Sequence, residues 1–279
     1  MNRRILKIIL SITFFIGLII LSYPLISQYW NSKVQSQRVT NYKKNLEKID
    51  IEDYSTIFEE SSDYNSKLSK LDYPFIEYKK LSNYNNILNI DNNGMIGYIK
   101  IDKLNIELPI YHGTSSSVLN EAVGHLEGSS LPIGGENTHS VLAAHRGLPS
   151  SELFTNLSKL EIGDIFTIIV LDRKLTYQVD NIVIVEPNDI SKLQIIKDKD
   201  YVTLLTCTPY RLNFHRLLVR GIRIDNIEEK MIIINSEATQ IDKSLVTLIL
   251  TIPILLILII YIIIKPTKKE ISYITYLNI

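Results

Sequence analysis

Cysteine occurs once in the 279 residues, at position 207. A single thiol excludes an intramolecular disulfide framework, a multi-cysteine metal site and an iron–sulfur cluster. Neither sign of charge is in surplus: 30 Lys and Arg stand against 30 Asp and Glu. That balance argues against a nucleic-acid partner, because phosphate recognition ordinarily needs a basic excess. The histidines fit no short metal spacing, no carboxylate pair completes a site, and no acidic cluster has calcium-loop geometry, so no metal or cofactor is expected. Polar and apolar residues are too evenly mixed for a disordered chain, and no internal repeat or low-complexity linker interrupts it.

What the chain does have is two long apolar runs. Ile8 to Ile26 and Leu245 to Ile264 contain no charge, and each is about long enough to cross a hydrocarbon core roughly 30 Å thick as a helix. Arg3, Arg4 and Lys7 precede the first, and Lys265, Lys268 and Lys269 follow the second. The positive-inside rule then puts both termini in the cytoplasm and the residues between the runs outside. A cleaved signal peptide is the alternative for the first run, but no small-x-small site follows it cleanly. Pro253 can kink the second run without forbidding a span.

The expected organisation is a membrane helix over 1–30, a helical juxtamembrane region over 31–94, a β-rich domain over 95–230, a linker over 231–244, and a second membrane helix with a basic tail over 245–279. In the juxtamembrane region sparse apolar residues such as Val34, Leu46, Ile57 and Leu68 predict one or two surface helices. Asp72-Tyr73-Pro74-Phe75 interrupts them, since Pro biases its predecessor away from helix. From Met95 short β segments alternate with turn signals: 96–101, 106–111, 140–144, 165–171, 175–185, 201–206 and 217–224. One or two helical turns are expected over 118–123, and a short capped helix over 151–157. Seven or eight strands at near-regular spacing suggest a closed barrel or a sandwich, and closure suits an exposed domain because it removes open edges.

Cys207 ends the predicted strand 201–206, and a short loop leads to His215-Arg216 at the start of the last one. If these two strands form an antiparallel hairpin, Cys207 and Arg216 come together. A guanidinium beside a thiol favours the thiolate and can stabilise an oxyanion. A nucleophilic Cys also needs a base, usually His. Five are present, at 112, 125, 139, 145 and 215, and spacing alone does not choose among them, although His145 also ends a strand. A lone Cys is most often a small buried hydrophobe. An unpaired thiol outside the cell is a liability, which favours a functional reading here.

The stretch Thr203-Leu204-Leu205-Thr206-Cys207-Thr208-Pro209-Tyr210 resembles the TLxTC signature of sortases, and His215-Arg216-Leu217-Leu218-Val219-Arg220-Gly221 resembles their arginine strand. Gly124-His125-Leu126-Glu127-Gly128-Ser129-Ser130-Leu131-Pro132 and Gly134-Gly135-Glu136-Asn137-Thr138-His139-Ser140, leading into Ala144-His145-Arg146-Gly147-Leu148-Pro149, are similar to segments of class C, the pilin-polymerising sortases. The resemblance spans about residues 95–224. It implies a sortase-type closed β-barrel with short helices, Cys207 as nucleophile, His145 as general acid and base, Arg216 as transition-state stabiliser and Thr206 as a contributor to the substrate pocket. His125 matches no catalytic position. Arg211 and Phe214 depart from the family pattern, where Gly and Thr are common, so the loop after Cys207 is expected to differ in shape. Asp72-Tyr73-Pro74-Phe75 resembles the class C lid motif with one extra residue, so Asp72 or Phe75 is expected to cover the site.

The activity implied is that of a cysteine transpeptidase on the Gram-positive cell surface. It cleaves an LPXTG-like C-terminal sorting signal through a thioester and joins the Thr carbonyl to an amine, for class C a pilin lysine. Its partners are then pilin subunits and the membrane. The alternatives are a housekeeping sortase that attaches proteins to peptidoglycan, a non-catalytic surface β-domain that binds a partner, and a thiol protease.

Overall fold

The computed structural model describes residues 3–48, 51–209, 214–226, 251 and 255. The chain divides into two compact units, Met1–Ser27 with Met231–Ile279, and Gln28–Lys230. In the first unit the described residues up to Ser27 belong to helix α1 (Arg3–Leu46), which contains Pro24. Large apolar side chains along this stretch, Ile8, Ile19 and Leu21 among them, are exposed. By length and composition the helix can cross a membrane. It runs through residue 30 without a break, so the boundary expected there lies inside a helix. The second apolar run and the expected linker lie outside the described residues, apart from Thr251 and Leu255.

The second unit is built on a closed barrel of eight strands. They are β1 (Met95–Ile101), β2 (Ile106–His112), β3 (Val123–His125), β4 (Thr138–Ala143), β5 (Ile165–Val170), β6 (Arg173–Val185), β7 (Asp200–Thr208) and β8 (His215–Ile224). Their order around the barrel is β1-β2-β3-β4-β7-β8-β6-β5. The pairs β2–β3 and β4–β7 are parallel and the others antiparallel. The interior is filled by side chains such as Ile99, Ile110, Leu142, Phe166, Leu204 and Val219.

Two helical segments cover the barrel. The C-terminal part of α1 docks through Val39 and Tyr42 on Met95 and Tyr98. The Tyr42 hydroxyl donates to the Ile96 carbonyl (3.0 Å) and accepts from Leu171 N (3.0 Å), which satisfies its buried polar end. Helix α2 (Ile51–Leu68) buries Phe58, Tyr64 and Leu68. Its Asn65 pairs with both backbone groups of Leu131 (3.1 and 2.7 Å).

Two local expectations are corrected. Residues 151–157 do not form a capped helix; a turn leads into a single 3-10 turn, Leu157–Lys159. Leu153 takes φ +39, and Leu153, Phe154, Leu157 and Leu160 are all buried. Sinking all four into the core overrides the helical preference of the segment. Over 118–123 the helical turn is α4 (Ser116–Leu119), capped by Ser115, and Val123 already opens β3.

Candidate active site

Strand direction sets the geometry of the site. Because β4 and β7 are parallel, their C-terminal ends reach the same rim of the barrel. Their register runs to Ala143 opposite Leu205. Two residues further along each chain stand His145 and Cys207. Because β7 and β8 are antiparallel, the start of β8 returns to that rim, with Arg216 directly opposite Cys207.

Side-chain alternation then decides which face each residue takes. Leu142 and Ala144 on β4 and its extension, Leu204 on β7 and Leu217 on β8 belong to the barrel core. Val141, Leu205 and Leu218 form part of a second apolar cluster with Leu193, Val183 and Val185. Cys207, His145 and Arg216 fall on the side of this outer cluster. All three line one cavity of about 570 Å³. The Cys207 thiol is free and partly exposed. Burial pushes the His145 imidazole below its ordinary pKa.

Thr206 lies on the opposite face from Cys207 and is fully buried. Its hydroxyl donates to the Ala144 carbonyl (2.8 Å), and Ala144 N donates to the Leu205 carbonyl (3.1 Å). These bonds tie the residue before His145 to the two residues before Cys207. Thr206 does line the cavity, with its hydroxyl committed to this tether. Arg146 spans the same gap one step on, donating to Thr208 Oγ1 (3.3 Å) and Ser158 Oγ (3.1 Å).

The other histidines are used elsewhere. His125 is fully buried; one ring nitrogen faces the Tyr84 hydroxyl (2.8 Å) and the other the Ser130 carbonyl (2.8 Å). His139 is held between the Gln194 carbonyl (2.8 Å) and Thr203 Oγ1 (2.7 Å). Burial pushes both rings down to a pKa of about 4, so both are neutral structural groups. His112 meets the Gly94 carbonyl (3.1 Å), and His215 faces Glu186 (3.3 Å). The cavity takes His145 alone of the five.

One wall of the cavity comes from the segment that interrupts the helices. Pro74 opens helix α3 (Pro74–Glu77) and is buried, and Phe75 lines the cavity and packs on the outer cluster. Glu77 reaches back to Tyr73 N (3.2 Å) and pairs with Lys80, which fixes the turn. Gly128 makes the approach possible: it sits at φ +88, and a Cβ there would lie 2.7 Å from Phe75 Cα. Asp72 is exposed and does not line the cavity. Arg211 lies outside the described residues, and Phe214 is exposed. Among the described residues no group of His, Cys, Asp and Glu is arranged to hold a metal.

Comparison with known proteins gives consistent matches. The Sortase domain family matches residues 99–224. Sortase D of Bacillus subtilis (strain 168) is 33% identical over 114 residues, which is 41% of this chain and 54% of that protein. Sortase A of Bacillus anthracis is 26% identical over 79% of this chain and 95% of its own length. Among solved structures, sortase C1 of Streptococcus agalactiae has 47% identity and a TM-score of 0.63, covering 68% of this chain and 100% of that one. Sortase C of Streptococcus pneumoniae, whose structure bears on catalysis and pilin substrate specificity, has 44% identity and a TM-score of 0.62, covering 68% of this chain and 97% of that one.

Proposed function

This chain belongs to the sortase family, and from that premise we propose that it is a membrane-anchored transpeptidase of class C that joins pilin subunits. The observation that carries the chemistry is the convergence of Cys207, His145 and Arg216 at three strand ends in one cavity. The class C structures of streptococci support the pilin reading, and the apolar part of α1 supports an N-terminal anchor.

In the proposed mechanism Cys207 attacks the carbonyl of the Thr in an LPXTG-like sorting signal. Arg216 donates hydrogen bonds to the oxygen as it gains charge. The imidazolium of His145 protonates the departing amine as the C–N bond breaks, leaving a thioester on Cys207. An acceptor amine, here a pilin lysine, then attacks the thioester and gives a proton to His145 as the sulfur departs as thiolate. Burial favours the neutral form of His145, which suits it to accept a proton in this second half.

The test is the full chain in detergent with a sorting peptide and a lysine-containing acceptor, read by mass spectrometry. The expected product is an amide between the Thr carbonyl and the lysine side chain. Free acid alone would point to a thiol protease, and transfer only to a cell-wall cross-bridge amine would point to a housekeeping enzyme.

We further propose that Phe75 belongs to a lid that covers the site at rest. A half-buried Phe contributes on the order of 1–2 kcal/mol. Phe75→Ala is therefore expected to raise the rate of Cys207 alkylation by a small thiol reagent roughly 5- to 30-fold. Gly128→Ala, which drives a methyl into the Phe75 backbone, should act in the same direction. Unchanged alkylation in both variants would remove the lid.

A further inference from the structure

The cavity around Cys207 holds more charge than the first half-reaction uses. Besides His145 and Arg216, two carboxylates line it, Glu127 and Asp189. Asp189 is exposed and committed: its carboxylate accepts from Ser191 N (2.9 Å), and hydrogen bonding to Ser191 holds its pKa below the usual range. Glu127 is different. It follows β3 within two residues and is partly buried. Among the described residues no cation pairs with its carboxylate and no hydrogen bond reaches it. Its charge is felt by Tyr64 and Tyr84, whose phenols are raised first by burial and then by Glu127.

A carboxylate that lines a cavity without a partner among the described residues is placed to accept charge-assisted hydrogen bonds from a cationic ligand. The proposed reaction supplies one. A lysine side chain, with an ordinary pKa of about 10.4, arrives as an ammonium at neutral pH. Leu119, Leu126 and Tyr78 line the same cavity and offer apolar surface to its methylene stem.

We infer that Glu127 receives the ammonium of the acceptor lysine and is a specificity-determining residue of the second half-reaction. The inference rests on the transpeptidase reading and adds the acceptor's docking point to it. The docked ammonium releases one proton to solvent and becomes the nucleophile. Its nitrogen attacks the thioester carbonyl, the C–N bond forms and the C–S bond breaks. The remaining surplus proton on nitrogen passes to His145, left neutral by the first half-reaction, while sulfur departs as thiolate. The imidazolium is thereby restored for the next cycle.

The test compares two nucleophiles on the acyl-enzyme formed by the full chain from a sorting peptide. One is a lysine derivative, cationic near neutral pH; the other is hydroxylamine, which is uncharged there. In Glu127→Gln the preference for lysine over hydroxylamine, measured as the ratio of product-forming efficiencies, is expected to fall at least tenfold through a higher KM for lysine. Glu127→Asp should restore part of it. Acyl-enzyme formation does not involve the acceptor and reports that each variant is folded. A normal acyl-enzyme with an unchanged preference in Glu127→Gln would overturn the inference and leave the transpeptidase reading standing. No acyl-enzyme in the unaltered chain would overturn both.

Discussion

Cys207→Ala is expected to abolish transpeptidation, with a loss of roughly 10⁴-fold or more, and to leave no detectable acyl-enzyme by mass spectrometry. The size of the effect follows from covalent catalysis: without sulfur no thioester can form, and Cys207 is the single thiol of the chain. What would remain is the positioning of substrate and the polarisation proposed for Arg216, which cannot transfer an acyl group by themselves. The fold should survive. Cys207 is partly exposed and its backbone is held in the β7–β8 ladder opposite Arg216, so alanine removes one sulfur and keeps the pairing. A melting temperature within a few degrees of the unaltered chain checks this. A surface domain that merely binds a partner predicts a different outcome, in which alanine changes neither binding nor product. Normal polymer formation by the alanine variant would end the assignment of Cys207.

The encounter of Cys207 with Arg216 was legible in the sequence because it is local. Two β segments joined by a short loop pair as a hairpin, and the end of one must face the start of the other. His145 was not legible in the same way. Its approach depends on β4 and β7 being parallel neighbours although β5 and β6 intervene in the chain. No periodicity in either segment encodes that neighbour relation; the family resemblance supplied it. The burial of His125 and His139 is likewise set by distant partners, Tyr84 in one case and Gln194 with Thr203 in the other.

The strand pattern was legible for the same local reason, and its errors were tertiary. The segment 151–157 has helical signals, but four of its and its neighbours' apolar residues are drawn inward and Leu153 takes a left-handed conformation. Thr206 was readable as a pocket residue from the motif, whereas its bond to the Ala144 carbonyl required the parallel register. Glu127 carried no signal of its own. A glutamate after a short strand is ordinarily a solvated charge, and only its place in the cavity and the lack of a partner among the described residues single it out.

The second large effect concerns Arg216. Arg216→Lys is expected to lower kcat by about 10²- to 10³-fold with little change in KM for the sorting peptide, the magnitude associated with losing a directed donor to an oxyanion. The reasoning starts from its place in the sheet. Arg216 is paired on one side with Cys207 of β7 and on the other with Val185 of β6. A backbone held by both neighbours fixes where the side chain begins, as a preorganised donor requires. Its Nη1 donates to the His215 carbonyl (3.1 Å), which further orients the planar group. Lysine keeps the charge at the same position but loses the planar fork and the hydrogen-bond directions set by it. If general positive potential sufficed, the lysine variant would retain most of the rate, and directed donation by Arg216 would be refuted. Single-turnover measurement of acyl-enzyme formation separates the cases, because it isolates the step in which the oxygen of the Thr carbonyl gains charge. A fall confined to that step, with peptide binding intact, is the result that the three-strand geometry requires.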